Sequence, residues 1–211
     1  DFGGVQTGKL GWKWKPHNAL LLRGSIGSGF RAPTLGQMIP QLAKIGYITH
    51  PDTGDTVQIV NPGNPQLKPE RPVHKTVGFR FEISQRLSLG ADVWQVDIQD
   101  TFGVLPSNQI LANDQLKSQY LFGEVMTQNT QNLGRSVKRG VDYDVHFRHP
   151  TELGRIRTSL KGVYMLKSVT QDTLSGAFVS NIGKSAEPLL TTARHQWALT
   201  TLLERPQWLG G

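Results

Sequence analysis

The chain has 211 residues, a net charge of +7 and no cysteine, so it holds one large all-β unit or two small domains and has no disulfide frame or cysteine-based zinc site. Its apolar content is 37% and no run approaches the ~18 apolar residues of a membrane helix, which excludes a helical span. It does not exclude a β-barrel, where only alternate residues meet lipid. The pI is near 9.8, but the basic residues are dispersed, which reads as a solvated surface or a charged lumen rather than a nucleic-acid footprint.

Taken in order, Asp1 to Gly4 reads as the tail of a loop, and Val5 to Trp14 as a strand with Leu10, Trp12 and Trp14 on one face. Lys15 to Asn18 is a tight turn by composition, and its pairing is expected to set Trp14 against Leu20 and Trp12 against Leu22. The next strand, Ala19 to Phe30, puts Leu20, Leu22, Gly24 and Ile26 on one face and Arg23 and Ser25 on the other. Residues 31 to 72 form a long excursion with turn signals at Pro51 to Asp55 and Asn61 to Asn64. Ile45, Tyr47, Val57 and Ile59 predict a short hairpin inside it.

From Val73 to Ser84 the outward set is Val77, Phe79, Phe81 and Ile83, and the inward set Gly78, Arg80, Glu82 and Ser84. After a turn at Gln85-Arg86, Leu87, Leu89, Ala91 and Val93 continue the apolar face. Parity then breaks, because Trp94, Val96 and Ile98 are even; either a β-bulge near Val93 or passage above the lipid accounts for it. Asp100 to Arg135 is a second insertion, with a short helix predicted in Ser107 to Leu121, capped by Ser107. Val137 to Arg148 shows Val141, Tyr143, Val145 and Phe147 outward and Asp142, Asp144, His146 and Arg148 inward. Beyond a turn at His149 to Gly154, Ile156, Thr158, Leu160, Gly162, Tyr164 and Leu166 face outward, opposite Arg155, Arg157, Ser159, Lys161 and Lys167. Ser168 to Thr191 is a third insertion, Thr192 to Glu204 a last strand, and Arg205 to Gln207 a further turn.

About seven strands thus alternate tight turns with long loops. All tight turns on one side of a membrane give that order. Loops beyond ~12–15 residues are uncommon in compact soluble domains. Pro33, Pro65 and Pro69 lack a donor N–H and end ladders.

The motifs Gly27 to Gln37 (GSGFRAPTLGQ), Gly63 to Glu70 (GNPQLKPE) and Asn132 to Leu166 resemble the barrel of TonB-dependent outer-membrane receptors, in family order over nearly the whole chain. The resemblance implies an all-β antiparallel transmembrane barrel of around twenty-two strands, of which residues 1–211 are expected to be a middle-to-late piece of the wall. No plug, TonB box or terminal aromatic strand is visible. It further implies energy-coupled import of a scarce solute such as a ferric siderophore, cobalamin or a glycan in a Gram-negative outer membrane. The implied partners are lipid, a plug domain, the TonB complex and the solute, with no cofactor and no nucleic acid. The loop-motif residues Gly29, Phe30, Arg31, Ala32, Pro33, Asn64, Pro65, Leu67, Pro69 and Glu70 are structural candidates near the ligand path. For Arg31 a hydrogen-bonding role in the loop base is favoured over an anionic ligand.

The inner-wall charges are Arg80, Asp92, Asp142, Asp144, Arg157 and Lys161. Simple pairing sets Arg80 near Asp92, Asp142 near Lys161, and Asp144 near Arg157 or Ser159. Asp142 and Asp144 lie about 7 Å apart along a strand. A salt-bridged wall explains them better than a glycosidase-like acid pair. His146 and His149 fall on opposite strand faces, which argues against a shared metal. Gly24, Gly27 and Gly29 lack phosphate-loop spacing, and no nucleophile elbow or triad is present, so no enzymatic activity is expected. The alternative is a soluble sandwich or lectin-like module. The isolated chain is not expected to fold stably, since both sheet edges would be open.

Overall fold

The computed structural model describes residues 4–40, 43–171, 176–183 and 192–205. Its strands are β1 (Lys9–His17), β2 (Leu20–Ser28), β3 (Lys44–Thr49), β4 (Thr56–Asn61), β5 (Arg71–Glu82), β6 (Leu87–Gln99), β7 (Phe102–Gly103), β8 (Leu121–Phe122), β9 (Val125–Thr127), β10 (Gln131–Asn132), β11 (Arg135–Thr151), β12 (Gly154–Gln171), β13 (Phe178–Ser180) and β14 (His195–Glu204). Among the described residues the short α-helices are α1 (Leu35–Met38), α2 (Ser107–Leu111) and α3 (Asp114–Tyr120).

Seven long strands make one antiparallel wall in the order β1, β2, β5, β6, β11, β12, β14, and β13 pairs with the upper part of β12. β11 and β12 are 17 and 18 residues long, and β11 runs past both ends of the expected Val137 to Arg148. The expected turn at Arg205 to Gln207 lies mostly outside the described residues, as does much of the third insertion.

Register carries the alternation across the whole wall. One row runs Trp14, Leu22, Phe79, Ala91, Tyr143, Gly162, Trp197, and the next runs Leu20, Phe81, Leu89, Val145, Leu160, Leu199. Between them, on the other face, lie Leu21, Arg80, Gly90, Asp144, Lys161 and Ala198. The apolar face is not covered: Trp14 is 60% exposed, Trp197 63% and Leu199 60%. A soluble sandwich would bury such a face under a second sheet. Among the described residues none packs there, and the hydrophobic cluster of buried side chains lies in the loops instead.

Three details of register differ from the sequence expectation. Trp14 pairs with Leu22 and Trp12 with Gly24, because β1 runs on to His17 with an irregularity after Trp14 and the turn is Asn18-Ala19. The β11–β12 turn closes at Thr151 and Gly154, so Asp144, not Asp142, lies opposite Lys161. Arg80 faces Gly90 rather than Asp92.

The parity break in β6 is not a bulge. β6 pairs without a register shift to β5 and to β11 past Val93, so Trp94 and Val96 simply stand on the charged face and Gln95 and Asp97 on the apolar one. The wall therefore changes character along its height, as it does where a strand rises beyond hydrocarbon. The register shift sits one strand further on: Arg139 pairs with Lys167 and Gly140 with Met165, skipping Leu166. This turns Lys167 away from the charged face on which its parity had placed it.

The long loops fold together. The expected hairpin is present as β3 and β4, and β4 pairs in parallel with β9 of the second long loop, giving a four-stranded sheet in the order β3, β4, β9, β8. Val57 from the first loop packs with Leu105, Ile110, Leu111 and Met126 from the second; Ile110 and Met126 are 0% exposed. The single helix predicted there is two. Pro106, not Ser107, precedes α2, and the Asn113 side chain caps α3 by accepting from the Gln115 and Leu116 amides.

Candidate functional site

The two loop motifs meet at the upper rim of the wall. Arg31 donates from Nε and Nη2 to both carboxylate oxygens of Glu70 at 2.6 and 2.7 Å, and the two backbones pair as an isolated antiparallel bridge. The Phe102 amide donates to Glu70 Oε1 at 2.8 Å, and the Arg31 guanidinium lies 5.0 Å from the centre of the Phe102 ring. Glu70 is 5% exposed, so its charge depends on these donors. Hydrogen bonding to Glu70 raises the Arg31 pKa above its already high ordinary value, against a lowering by burial.

The rest of the second motif is stitched to the second loop. Asn64 Nδ2 donates to the Thr130 carbonyl at 2.9 Å, and Asn64 Oδ1 accepts from the Gln66 amide. The Asn132 side chain binds both the amide and the carbonyl of Lys68, at 2.9 and 2.8 Å, and donates to the Asp100 carbonyl. Leu67 is buried and Pro65 exposed. Gly29 donates to the Pro72 carbonyl, Pro33 is buried, Ala32 and Pro69 are half-buried, and Phe30 is half exposed. Phe102 and Thr130 do not stand out in the sequence, and nothing local in Asn132, the first residue of the third motif, marks an asparagine that copies a strand's hydrogen bonds.

Below this rim the charged face is built by reach across a glycine. Arg23 on β2 passes over Gly78 on β5 to a bidentate bridge with Asp92 on β6, its Nε donating at 2.8 Å. Arg80 on β5 passes over Gly90 on β6 to Asp144 on β11 at 3.0 Å. A Cβ at Gly90 would sit 2.8 Å from Asp144 Oδ1, and one at Gly78 would overlap the Asp92 carboxylate. Asp92 thus belongs to Arg23, a residue placed on this face but not paired from sequence.

Asp142 accepts from Trp94 Nε1 at 2.8 Å, Arg157 pairs with Glu204 at 3.0 Å, and Lys161 stands in register beside Asp144. The expected Asp142–Lys161 and Arg80–Asp92 pairs are out of register by two residues, and Asp144–Arg157 by four, the error of a misplaced hairpin centre. His146 binds Asp144 at 3.0 Å, while His149 stacks on Phe147 on the opposite face. Arg23, Asp92, Trp94 and Asp142 line an open groove of about 910 Å³.

An antiparallel wall with one apolar exposed face, one ion-paired face and long loops at one end is a piece of a membrane β-barrel. The chain belongs to the TonB dependent receptor-like β-barrel family, whose model matches residues 1–210. No curated protein matches the chain. Among solved structures it is similar to the siderophore receptor PirA from Acinetobacter baumannii, at 16% identity over 82% of this chain and 24% of that one, with a TM-score of 0.55. It is similar to PirA from Pseudomonas aeruginosa, at 17% identity over 77% and 28%, with a TM-score of 0.58. A mutant of the ferric enterobactin receptor PfeA from Pseudomonas aeruginosa, in complex with enterobactin, matches at 18% identity over 78% and 24%, with a TM-score of 0.57. The chain spans about a quarter of the length of these receptors, and the likeness is one of fold.

Proposed function

We propose that the chain is part of the wall of an outer-membrane receptor that imports a scarce solute, a ferric siderophore or cobalamin, with energy delivered through the TonB complex. The observation that carries the membrane reading is the exposed apolar face running unbroken in register across seven strands. In hydrocarbon every backbone polar group needs an internal partner, which a closed β-wall supplies. The siderophore receptors among the structural neighbours support the solute class. On this reading lipid covers the apolar face, and a plug domain of the intact receptor meets the charged face. A TonB box outside the wall engages the inner-membrane complex. The joined loops form part of the outer mouth, and the protein works by binding and transport, without a catalytic residue or cofactor.

The test uses the intact receptor. Purified protein is titrated with a panel of ferric siderophores and cobalamin, and uptake is followed in cells with and without an uncoupler. Saturable binding of one solute, with uptake lost in the uncoupled cells, is expected. Binding of none, or uptake indifferent to the uncoupler, contradicts the reading.

A further inference from the structure

Next to the tight turns, the charged face carries arginines in one row on three consecutive strands. Arg148 on β11 stands directly opposite Arg157 on β12. On its other side the Arg148 amide donates to the Arg86 carbonyl at 2.8 Å, which continues the β6–β11 pairing one residue past Leu87 and Phe147. Neighbouring strands are about 4.8 Å apart, so the row spans roughly 10 Å. Like charges directly opposite one another destabilise a sheet. Arg157 is relieved by Glu204 at 3.0 Å. Among the described residues no carboxylate lies within ion-pair distance of Arg86 or Arg148. Asp144 is held by Arg80 and His146, and Glu82 lines the same groove without reaching either arginine. Both arginines are exposed and line that groove, about 380 Å³ in volume, together with Ser84 and Ser88. The Ser84 hydroxyl accepts from the Arg86 and Leu87 amides and so fixes the turn that carries Arg86.

We infer that Arg86 and Arg148 together bind a small oxyanion, a phosphate or carboxylate group, at the turn-side end of the charged face. A guanidinium presents a planar fork that matches such a group with two parallel hydrogen bonds. Two forks on adjacent strands, over an open groove of small-ligand size, close on one anion from both sides. The bound anion relieves the repulsion along the row. Elsewhere on this face that part is played by Asp92 for Arg23 and by Asp144 for Arg80. The inference deepens the import reading and rests on it for one point: this end is the side on which the solute leaves, so the anion is either free or an acidic group that the solute carries.

The experiment titrates the intact receptor, in neutral detergent at constant ionic strength, with inorganic phosphate and reads the phosphorus NMR line width of the phosphate. Saturable broadening is expected for the wild type. Arg86→Gln and Arg148→Gln should each weaken binding on the order of 10-fold. Arg148→Lys should keep part of it, with the charge retained and the fork lost. In the absence of phosphate, Arg148→Gln should not lower the melting midpoint, because it removes a like charge; added phosphate should raise the midpoint of the wild type and not that of the variant. Displacement of phosphate by the solute that the uptake panel identifies supports a site for the solute's own acidic groups, and phosphate held in its presence supports a free anion. No saturable broadening in the wild type, or equal broadening when both arginines are replaced by glutamine, overturns the inference. A midpoint lowered by Arg148→Gln without phosphate also overturns it, because a carboxylate elsewhere in the receptor then neutralises the row. Failure of the import reading shows separately, in the solute panel, and leaves the phosphate titration unchanged.

Discussion

Arg31 and Glu70 stand 39 residues apart and close the first long loop with two charge-assisted hydrogen bonds. Glu70 also takes the Phe102 amide, so one carboxylate ties together both loops. Glu70→Ala therefore strands Arg31 and the Phe102 amide together. It is expected to destabilise the rim by about 1–3 kcal/mol. Limited proteolysis of the intact receptor should show faster cleavage in both loops, residues 31–70 and 100–134. Faster cleavage in the first loop alone would contradict the shared clamp.

The glycine beneath a bridge matters more than the bridge. Arg23 is 39% exposed at the side chain, and such a wet pair is worth about 0.2–1 kcal/mol. Gly78→Ala places a methyl 2.5 Å from the Ala91 carbonyl, which is backbone and cannot swing away. That overpacking costs about 1–3 kcal/mol. Urea unfolding of the intact receptor should rank Gly78→Ala below Arg23→Ala in midpoint; the reverse order would contradict the account of how the charged face is built.

The loop cap has its own core, so it should loosen without the wall. Met126→Ala removes a side chain with 0% exposure between strands of both loops, at a cost of about 2–5 kcal/mol. Hydrogen exchange is expected to quicken in β3, β4 and β9 together, with β5, β6 and β11 unchanged. Uniform acceleration along the chain would show that cap and wall form one cooperative unit.

Isolated, the chain leaves one side of β1 and of β14 unpaired among the described residues. Its widest apolar surface is then wet. Residues 1–211 in buffer without detergent are expected to show no cooperative thermal transition by circular dichroism. A sharp transition in a monomer would contradict this.

Much of the wall was legible in the sequence because a half-buried strand writes its faces at period two. Val77 to Phe81 and Val141 to Phe147 carry this alternation without interruption. Register was less legible. It depends on where each hairpin turns, and a centre moved by one residue shifts every partner by two, which is how Asp142 was matched to Lys161. The break after Val93 had two readings, and only pairing on both sides of β6 distinguishes them. At the rim, Arg31 and Glu70 were visible as motif members. The joining of Glu70 to Phe102 and of Lys68 to Asn132 was not, because it depends on two loops meeting in space. The cap was half visible: the hairpin came from alternating Ile45 and Tyr47, while the parallel pairing of β4 with β9 leaves no local trace.

The central claim is that hydrocarbon covers one face of this wall and water or a plug the other. The chain has no cysteine, so single spin labels can be placed along β12 of the intact receptor in lipid vesicles, from Thr158→Cys to Tyr164→Cys, provided the remainder of the receptor has none. Collision rates with oxygen, which partitions into lipid, and with a water-soluble nickel chelate are then measured at each position. The account predicts a period of two, with oxygen collisions frequent at 158, 160 and 164 and infrequent at 159, 161 and 163; Gly162 is left unlabelled, because a side chain there would overlap Tyr143. A flat profile, or oxygen favoured at the odd positions, would contradict it.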